Sequence, residues 1–308
     1  MFRAFFVHLS ENKSLRNFAE RSPLGRRVSS RFVAGLEIAD AVRATQAINR
    51  GGMSVSIDNL GENVTNPDEA RNSAQLYHQI LDAIVANQLN ANISLKLTHM
   101  GLDVEEKLAR ELVGGLVAKA AAMNPPGFVR VDMEGSPYTQ RTLDFVHELH
   151  AMPGYGNSIG TVIQSYLKRS EDDVRKLLSH GIRIRLCKGA YKEPAEIAFT
   201  AKSEVDANYM KLTKILLMSG IYHGLATHDE NIIRQAEAFA TKEKIAPESF
   251  EFQMLYGIRR DLQQSLVKSG WRVRVYIPFG TEWYPYYMRR LGERPANVLF
   301  IARQLFRA

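Results

Sequence analysis

Cysteine is nearly absent from this sequence of 308 residues, which has a single thiol at Cys187. One cysteine cannot form a disulfide within the chain, so a disulfide-stapled fold is excluded and the composition fits a reducing compartment. Cys187 has no evident activating base beside it in the sequence. We therefore expect it to be a structural thiol and not a nucleophile.

The sequence also lacks the short motifs that identify nucleotide and zinc sites. It has no phosphate-binding P-loop and no zinc-type spacing of Cys and His. The glycines of GYGNSIG (154–160) are spaced G-x-G-x-x-x-G and precede a strand, whereas a dinucleotide fingerprint opens a helix. A Rossmann-type domain is therefore not expected.

Long hydrophobic runs and a convincing export signal are missing too. The start, MFRAFFVHLSENKS, has no small-residue cleavage site and is too short to span a bilayer. The formal charge of +7 fits plain solubility, an anionic membrane surface or nucleic acid. Because no basic block has interleaved aromatics, we expect no nucleic-acid partner. We expect a cytoplasmic protein, for which peripheral contact with the inner membrane stays open.

From residue 53 onward, strand-like runs alternate with helical patterns. The strand-like runs are 53–61, 91–100, 128–134, 159–167, 182–191, 222–229, 250–257 and 271–280. The helical stretches are 67–89, 103–123, 138–150, 170–180, 203–219, 230–244, 259–268 and a last one after Thr281. Eight such units predict an α/β fold of the (β/α)8, TIM-like barrel type, with an open doubly wound sheet as the alternative.

The first 50 residues do not follow this alternation. A helix over 36–48 ends at Gly51 and Gly52, and a ninth possible strand, 31–35, is assigned to the same arm because eight units from residue 53 close a barrel. An earlier apolar stripe consists of Phe2, Phe5, Phe6 and Leu9. We predict an N-terminal helical arm at 1–50 and a barrel domain at 51–308, with no repeat or linker that marks another domain.

Seven of the predicted strands end in polar side chains. These are Asp58, Asn59, Glu62, Lys96, His99, Asp132, Glu134, Gln164, Arg185, Lys188, Thr227, His228, Asp229 and Gln253. Barrel active sites lie where the carboxyl ends of the strands meet. Since buried charge is costly, a functional mouth explains this pattern better than a layer of packing residues. The acids and histidines could bind a metal, but the neighbouring Lys and Arg oppose a cation.

Single residues within this set have several readings. Lys96 follows an apolar strand and is a snorkelling rim lysine, an anion contact or a Schiff-base amine. A lone carboxylate at Asp132 needs a cationic partner, for example Lys96. Arg183 and Arg185 point to the same side of a regular strand, so one lies deeper than the other. Gly189 permits close backbone approach to a ligand.

The densest group of such side chains is near the C-terminus, in YIPFGTEWYPYYMRRLGERPAN (276–297). As a helix, this stretch brings Tyr286, Arg289, Arg290 and Glu293 to one face. Paired guanidinium forks suit a small carboxylate. The alternative is a solvated helix face with a local ion pair, which the nearby aromatic residues oppose because they are costly to expose.

Seven motifs in order resemble those of the proline dehydrogenase family, over residues 53–300. They are SLKLT, VRVDME, VIQSYL, RLCKGAYKEP, ATHD, FEFQMLYG and YIPFGTEWYPYYMRRLGERPAN. The resemblance implies a distorted (β/α)8 barrel with FAD across its C-terminal mouth. It also implies the monofunctional bacterial type, because the chain ends soon after the Arg-Arg helix.

The same resemblance implies residue roles. The carboxylate of L-proline is gripped by Arg289, Arg290 and Lys96, its ring is walled by Tyr276 and Tyr286, and Glu293 ion-pairs within this group. Asp132 matches a catalytic-site carboxylate and Arg185 an arginine near flavin N5. FAD contacts are implied for Met133, Gln164, Lys188, Gly189, Ala190, Thr227 and His228.

The implied reaction is oxidation of L-proline to 1-pyrroline-5-carboxylate by hydride transfer to flavin N5, with a membrane quinone as electron acceptor. This is the first step of proline catabolism to glutamate, and a separate 1-pyrroline-5-carboxylate dehydrogenase takes the product.

The sequence also permits two other functions. One is a Schiff-base aldolase that uses Lys96 or Lys188, and the other is a nucleic-acid-binding barrel without activity.

Overall fold

Eight parallel strands form a closed barrel in chain order, β1 to β8, in a computed structural model that describes residues 30–293, with side chains as far as Met288. The strands are β1 (Ser54–Asn59), β2 (Ala91–Leu95), β3 (Val129–Val131), β4 (Ile159–Gln164), β5 (Arg183–Cys187), β6 (His223–Ala226), β7 (Phe250–Leu255) and β8 (Val273–Phe279). Pairing of β1 with both β2 and β8 closes the sheet. The barrel prediction is confirmed, and the open doubly wound sheet is excluded.

One helix follows each strand, and one precedes β1. They are α1 (Ile38–Arg50), α2 (Pro67–Ala86), α3 (Glu106–Ala121), α4 (Ser136–His150), α5 (Ser170–Ser179), α6 (Lys202–Leu217), α7 (Glu230–Lys242), α8 (Arg260–Lys268) and α9 (Trp283–Glu293). All coincide with predicted helical stretches. The strands are shorter than predicted, because the polar residues after each strand leave the hydrogen-bonded ladder and form the rim.

Local sequence explains where these elements begin and which side they bury. Before α2, the Asn66 side chain accepts a hydrogen bond from Glu69 N–H (3.0 Å), and Pro67 occupies the first turn, where no N–H is required. The buried side of α2 includes Tyr77, which lies in the apolar layer between the strands and the helices. β4 is buried at every residue, as expected for a parallel strand covered on both faces.

The interior of the barrel is unusually polar. Branched aliphatic residues usually fill this space in (β/α)8 barrels. Here Arg185 of β5 reaches across to Ser56 of β1 (Nη2–Oγ 3.1 Å), and Arg274 of β8 ion-pairs with Glu251 of β7 (2.6 Å). A charged network therefore runs through the middle of the strands and does not only follow their ends.

The segment before α1 lies against the end of β8 and is not a ninth strand. Ala34 N–H donates to Pro278 O (2.9 Å) and Gly280 N–H donates to Gly35 O (3.0 Å). The predicted helix at 36–48 is α1, which packs against β1 and β8. The predicted stripe of Phe2, Phe5, Phe6 and Leu9 lies outside the described residues, and the division at residue 50 stays a prediction.

Candidate active site

Asp132 and Arg185 form the central ion pair of the carboxyl-end mouth. Arg185 Nη1 donates to Asp132 Oδ1 at 2.7 Å, and Ser94 Oγ donates to the same oxygen at 2.8 Å. The Tyr276 hydroxyl donates to Asp132 Oδ2 at 3.0 Å. The cationic partner of Asp132 is thus Arg185, and the expectation of a direct pair with Lys96 is wrong, because Lys96 lies closer to Asp58.

Arg185 is held by protein groups on several sides and is 6% exposed. Its Nε donates to Gln253 Oε1 (2.5 Å), and its other nitrogens donate to Ser94, Asp132 and Ser56. The guanidinium also lies 5.2 Å from the Tyr276 ring centroid. Arg185 and Gln253 are mid-strand residues inside the barrel, and this corrects their placement at the strand ends.

Lys96 and Asp58 form a second pair beside this centre, with Lys96 Nζ 3.8 Å from Asp58 Oδ2. Asp58 is buried, and the Tyr77 hydroxyl lies 3.1 Å from its other oxygen and 2.9 Å from Ser94 O. At 3.8 Å the ammonium is held by charge and not by a hydrogen bond. Among the described residues, Lys96 Nζ has no hydrogen-bond acceptor, so its donors are available to a ligand in the mouth.

The protonation of this pair bears on the Schiff-base alternative. Burial lowers the pKa of Lys96, but the attraction of Asp58, Asp132, Glu62 and Glu134 outweighs it, and the net pKa lies above the usual value. A lysine of this kind stays an ammonium at neutral pH and is a poor nucleophile. Lys188 ion-pairs with Asp206 (2.5 Å) and Asp229 (2.9 Å), so neither lysine fits the aldolase reading.

Tyr276 keeps its proton and acts as a hydrogen-bond donor. Burial raises its pKa well above the ordinary value, and the charges of Asp132 and Asp58 raise it further. His99, at the rim, is neutral for a related reason, since burial and the nearby Lys96 lower its pKa to about 4. Among the side chains as far as Met288, the cationic residues of the mouth are therefore Lys96, Arg185 and Lys188.

The residues expected to contact a cofactor come from the ends of β3 to β6, which are neighbours in the barrel. Gln164 is buried, with Nε2 donating to Glu134 O (3.0 Å) and Oε1 accepting from Ala190 N–H (3.4 Å). Gly189 adopts a φ of +116°, which a side chain would strain. Leu255 N–H donates to His228 Nε2 at 2.9 Å, which leaves Nδ1 to carry the ring hydrogen. Met133 is buried beneath this arc, and Thr227 Oγ1 accepts from Asp229 N–H.

This donor set fits a flavin dinucleotide. A cation, an amide, a hydroxyl and an imidazole lie along one continuous arc of the rim, which suits phosphates and heteroaromatic rings. The substrate candidates are elsewhere in the mouth: Lys96 immediately follows β2, and Tyr276 lies in β8. The mouth is therefore divided into a polar arc at the ends of β3 to β6 and a part beside β2 and β8 that holds Lys96 and Tyr276.

The C-terminal helix is described in part. Tyr286 is buried with Trp283, Tyr284 and Tyr287 against Phe32 and Val33. The backbone of α9 includes Arg289, Arg290 and Glu293, but their side chains lie outside the described residues. Pro285 lies in the first turn, as predicted. The roles assigned to these three charged residues stay predictions.

Sequence reasoning does not single out Ser56, Ser94 or Tyr77, although all three contact the central network. The two serines alternate with apolar residues inside SVSIDN and ANISL, and this alternation of small polar residues is a usable signal. Tyr77 gives none, because it occupies the apolar side of an ordinary amphipathic helix. Asp58 is prominent as a polar strand end, but the sequence does not indicate its partner.

The remaining candidates fall outside this network. Burial raises the pKa of the Cys187 thiol to about 12, which agrees with a structural thiol. Within residues 30–293, no group of three or more His, Cys, Asp or Glu side chains is placed to hold a metal ion. In the same part of the chain, no helix is both long and apolar enough to cross a membrane.

A closed parallel barrel whose carboxyl-end mouth holds buried, ionised and hydrogen-bonded side chains defines an α/β-barrel enzyme.

Comparison with known proteins gives its family. The sequence model described as proline dehydrogenase matches residues 41–303. Proline dehydrogenase 1 of Bacillus subtilis (strain 168) is 40% identical over 308 residues, 100% of both chains. The proline dehydrogenase of Deinococcus radiodurans is 38% identical over 283 residues, 91% of this chain and 90% of that protein.

A solved structure agrees with these matches. Proline utilization A (PutA) from Bdellovibrio bacteriovorus, inactivated by N-propargylglycine, superposes with a TM-score of 0.82 at 26% identity, over 94% of this chain and 36% of that longer chain. This chain belongs to the proline dehydrogenase family, and its activity is that of an oxidoreductase. The recognition from the sequence motifs is confirmed.

Proposed function

We propose that this chain is an FAD-dependent enzyme that oxidises L-proline to 1-pyrroline-5-carboxylate and passes the electrons to a membrane quinone. Family membership supports the substrate. The fit of the rim arc supports the cofactor. The PutA relative is inactivated by N-propargylglycine, an amino-acid derivative, which supports a site that takes an amino-acid carboxylate.

The state of Lys96 is the observation that carries this proposal. Its ammonium is kept protonated by the acids around it, lies 3.8 Å from Asp58, and has no hydrogen-bond acceptor in the described part of the chain. A bound carboxylate supplies those acceptors without the cost of removing Asp58 from its Tyr77 contact. Arg289 and Arg290 are assigned to the same carboxylate from the sequence.

Asp132 and Arg185 act beside the reacting atoms. The guanidinium is fixed by four protein contacts, so its charge is already oriented before substrate binds. A preorganised charge of this kind stabilises developing negative charge without further rearrangement. Asp132 keeps Arg185 in place and accepts a hydrogen bond from the Tyr276 hydroxyl. Tyr276 is then positioned to wall the proline ring.

When bound, FAD supplies the acceptor for the hydride from proline C5. Proline also loses a proton from its nitrogen, so the amine must be unprotonated for reaction. Lys96 and Arg185 disfavour a further positive charge in the mouth, and this promotes loss of that proton. Activity is therefore expected to rise with pH through the titration of the bound amine.

The electron acceptor and the cell compartment are proposed on the basis of family membership and of the sequence. A quinone in the inner membrane requires a cytoplasmic protein to make peripheral contact with the bilayer, and the net charge of +7 favours an anionic surface. A separate 1-pyrroline-5-carboxylate dehydrogenase is proposed to consume the product.

The visible absorption spectrum tests the cofactor and substrate together. The purified protein is measured before and after L-proline is added without oxygen, with D-proline as the matched control. We expect flavin bands that bleach with L-proline. Flavin that stays oxidised would point to another substrate, and a colourless protein that takes up no added FAD would contradict the proposal.

A further inference from the structure

Four arginines lie around the amino-terminal opening of the barrel, at the end opposite the candidate active site. Arg183 and Arg274 are at the starts of β5 and β8, Arg272 immediately precedes β8, and Arg130 is in the short strand β3. We call these four residues the amino-terminal arginine cluster. Among residues 30–288, the carboxylate in direct contact with them is Glu251, which pairs with Arg274 at 2.6 Å. The cluster therefore keeps an excess of positive charge.

Two aromatic rings hold three of these guanidinium groups in place. The Phe128 ring centroid lies 4.7 Å from Arg130 Cζ and 5.3 Å from Arg183 Cζ. The Tyr222 ring centroid lies 5.7 Å from Arg183 Cζ and 5.8 Å from Arg272 Cζ. At Phe128, such cation–π contacts position Arg130 and Arg183 without using their N–H donors. Arg272 also makes a side-chain hydrogen bond with Tyr222.

Some guanidinium N–H groups of the cluster make no hydrogen bond within the described residues. Arg183 is half-buried, and within residues 30–293 its guanidinium makes no hydrogen bond and no ion pair. Arg130 is 4% exposed, and its Nη1 donates to Thr161 O and Arg183 O, both at 2.7 Å. Its Nε is buried without a partner in the described residues. A buried donor without an acceptor is costly and indicates a missing ligand or water.

Two buried groups at this opening have lowered pKa values. Burial lowers the pKa of Arg130 well below its ordinary value, and the neighbouring Arg185 lowers it further. His223 beside the cluster has a pKa lowered to about 3, through burial and through the charge of Arg130. Burial is the largest cause of both shifts. The neighbouring cations act in the same direction, and at Arg130 the acids Glu251 and Asp132 act against it.

We propose that the amino-terminal arginine cluster binds a small multivalent oxyanion of the phosphate type, with Arg183 and Arg272 as its principal contacts. Guanidinium forks donate paired hydrogen bonds to the oxygens of such an anion. Arg272 is exposed and Arg183 is half-buried, so both are accessible from solvent. A dianion also offsets more of the excess charge than a monoanion does.

The test is a calorimetric titration of the flavin-loaded full chain with inorganic phosphate, with sodium chloride holding the ionic strength constant. We expect saturable binding to one site. Arg183→Gln and Arg272→Gln should each weaken it tenfold or more, and Arg272 is exposed, so that variant should fold normally. Arg175→Gln is the matched control, since Arg175 is an exposed helical arginine paired with Glu171.

The variant Lys96→Met separates this site from the mouth, where phosphate could also bind. Normal phosphate affinity in Lys96→Met, together with weak affinity in Arg183→Gln, places the anion at the amino-terminal cluster. Equal affinities in the wild type, Arg183→Gln and Arg272→Gln, or the absence of saturable heat, would overturn the proposal. These outcomes do not depend on proline oxidation. A negative result would therefore contradict the phosphate site without contradicting the proposed function.

Discussion

At the scale of single residues, Glu251 connects the two ends of the barrel interior. Its Oε1 accepts from Arg274 Nε (2.6 Å) and Gln253 Nε2 (2.5 Å), and its Oε2 accepts from the Tyr222 hydroxyl (2.8 Å). Gln253 in turn accepts from Arg185. Burial raises the pKa of Glu251, but Arg274 outweighs it and the net pKa is lowered, so the carboxylate is ionised.

The substitution Glu251→Gln removes the carboxylate that offsets these arginines. We expect the free energy of unfolding to fall by about 3 kcal/mol, because a buried cation is left without its partner. Denaturant unfolding at neutral pH measures it. Glu171→Gln, at a helix surface with Arg175 and Lys211, should change stability by less than about 0.5 kcal/mol. Equal effects of the two substitutions would show that the interior pair contributes no more than a surface one.

His223 gives the fold a pH dependence of known sign. Ile184 N–H donates to its Nδ1 (3.0 Å), and its Nε2 lies 3.0 Å from Ser219 Oγ. The folded-state pKa is lowered to about 3, against 6.5 for an unperturbed histidine. Between pH 6.5 and about pH 3, His223 is therefore protonated in the unfolded chain and neutral in the folded chain. The stabilisation is complete above pH 6.5 and is lost as the pH falls towards 3.

When the pH falls from 7 to 5, protonation of His223 in the unfolded chain should lower the free energy of unfolding by about 2 kcal/mol. His223→Gln should lose correspondingly less over the same interval, although it is less stable at pH 7. Denaturant unfolding at the two pH values measures the difference. Arg175→Gln, an exposed helical change that removes no histidine, should lose as much as the wild type. A His223→Gln variant with the wild-type loss would contradict the assignment.

At the scale of elements, α9 depends on the segment at 30–36. Phe32 is buried against the Tyr287 ring (centroids 6.1 Å apart), and Val33 and Leu60 complete the same apolar cluster. Arg31 Nε donates to Gly257 O, and the backbone at Ala34 and Gly35 bonds to the end of β8. The helix that carries Arg289 and Arg290 is thus fixed from the N-terminal side of the chain.

Phe32→Ala should loosen α9 more than the barrel. Large-to-small changes of this kind cost about 3–5 kcal/mol where the cavity cannot close. We expect faster hydrogen exchange in peptides from residues 283–293 and weaker proline binding, with little change in β3 to β6. Val85→Ala, at an exposed position on α2, is the control. Uniform exchange changes across the barrel would argue against a local role for this cluster.

At the scale of the whole molecule, the alternating pattern predicted the order of the elements and favoured a closed barrel over an open doubly wound sheet. Strong amphipathic helices and apolar strands are local features, so a single sequence displays them. The polar ends of β1 to β6 likewise indicated the mouth. The capping residues Asn66 and Pro67 show that the start of a helix can also be predicted from local sequence.

The partners inside the barrel could not be predicted in the same way. Asp132, after β3, meets Arg185 of β5, and Lys96, after β2, meets Asp58 of the adjacent strand β1. Strand tilt and register decide which side chains share a layer. Sequence spacing contains neither quantity. Glu251 looks like one polar residue in an alternating strand, and only closure of the sheet places it between Arg274 and Gln253.

The measurement that tests the central claim most directly is the rate of flavin reduction in Lys96→Met across a range of L-proline concentrations, without oxygen. Lys96 is proposed to hold the substrate carboxylate. The half-saturating proline concentration should therefore rise tenfold or more, which is a loss of about 1.4 kcal/mol or more of binding energy. The limiting rate should fall less, and the flavin bands should match the wild type. An unchanged half-saturating concentration with a collapsed limiting rate would contradict the account.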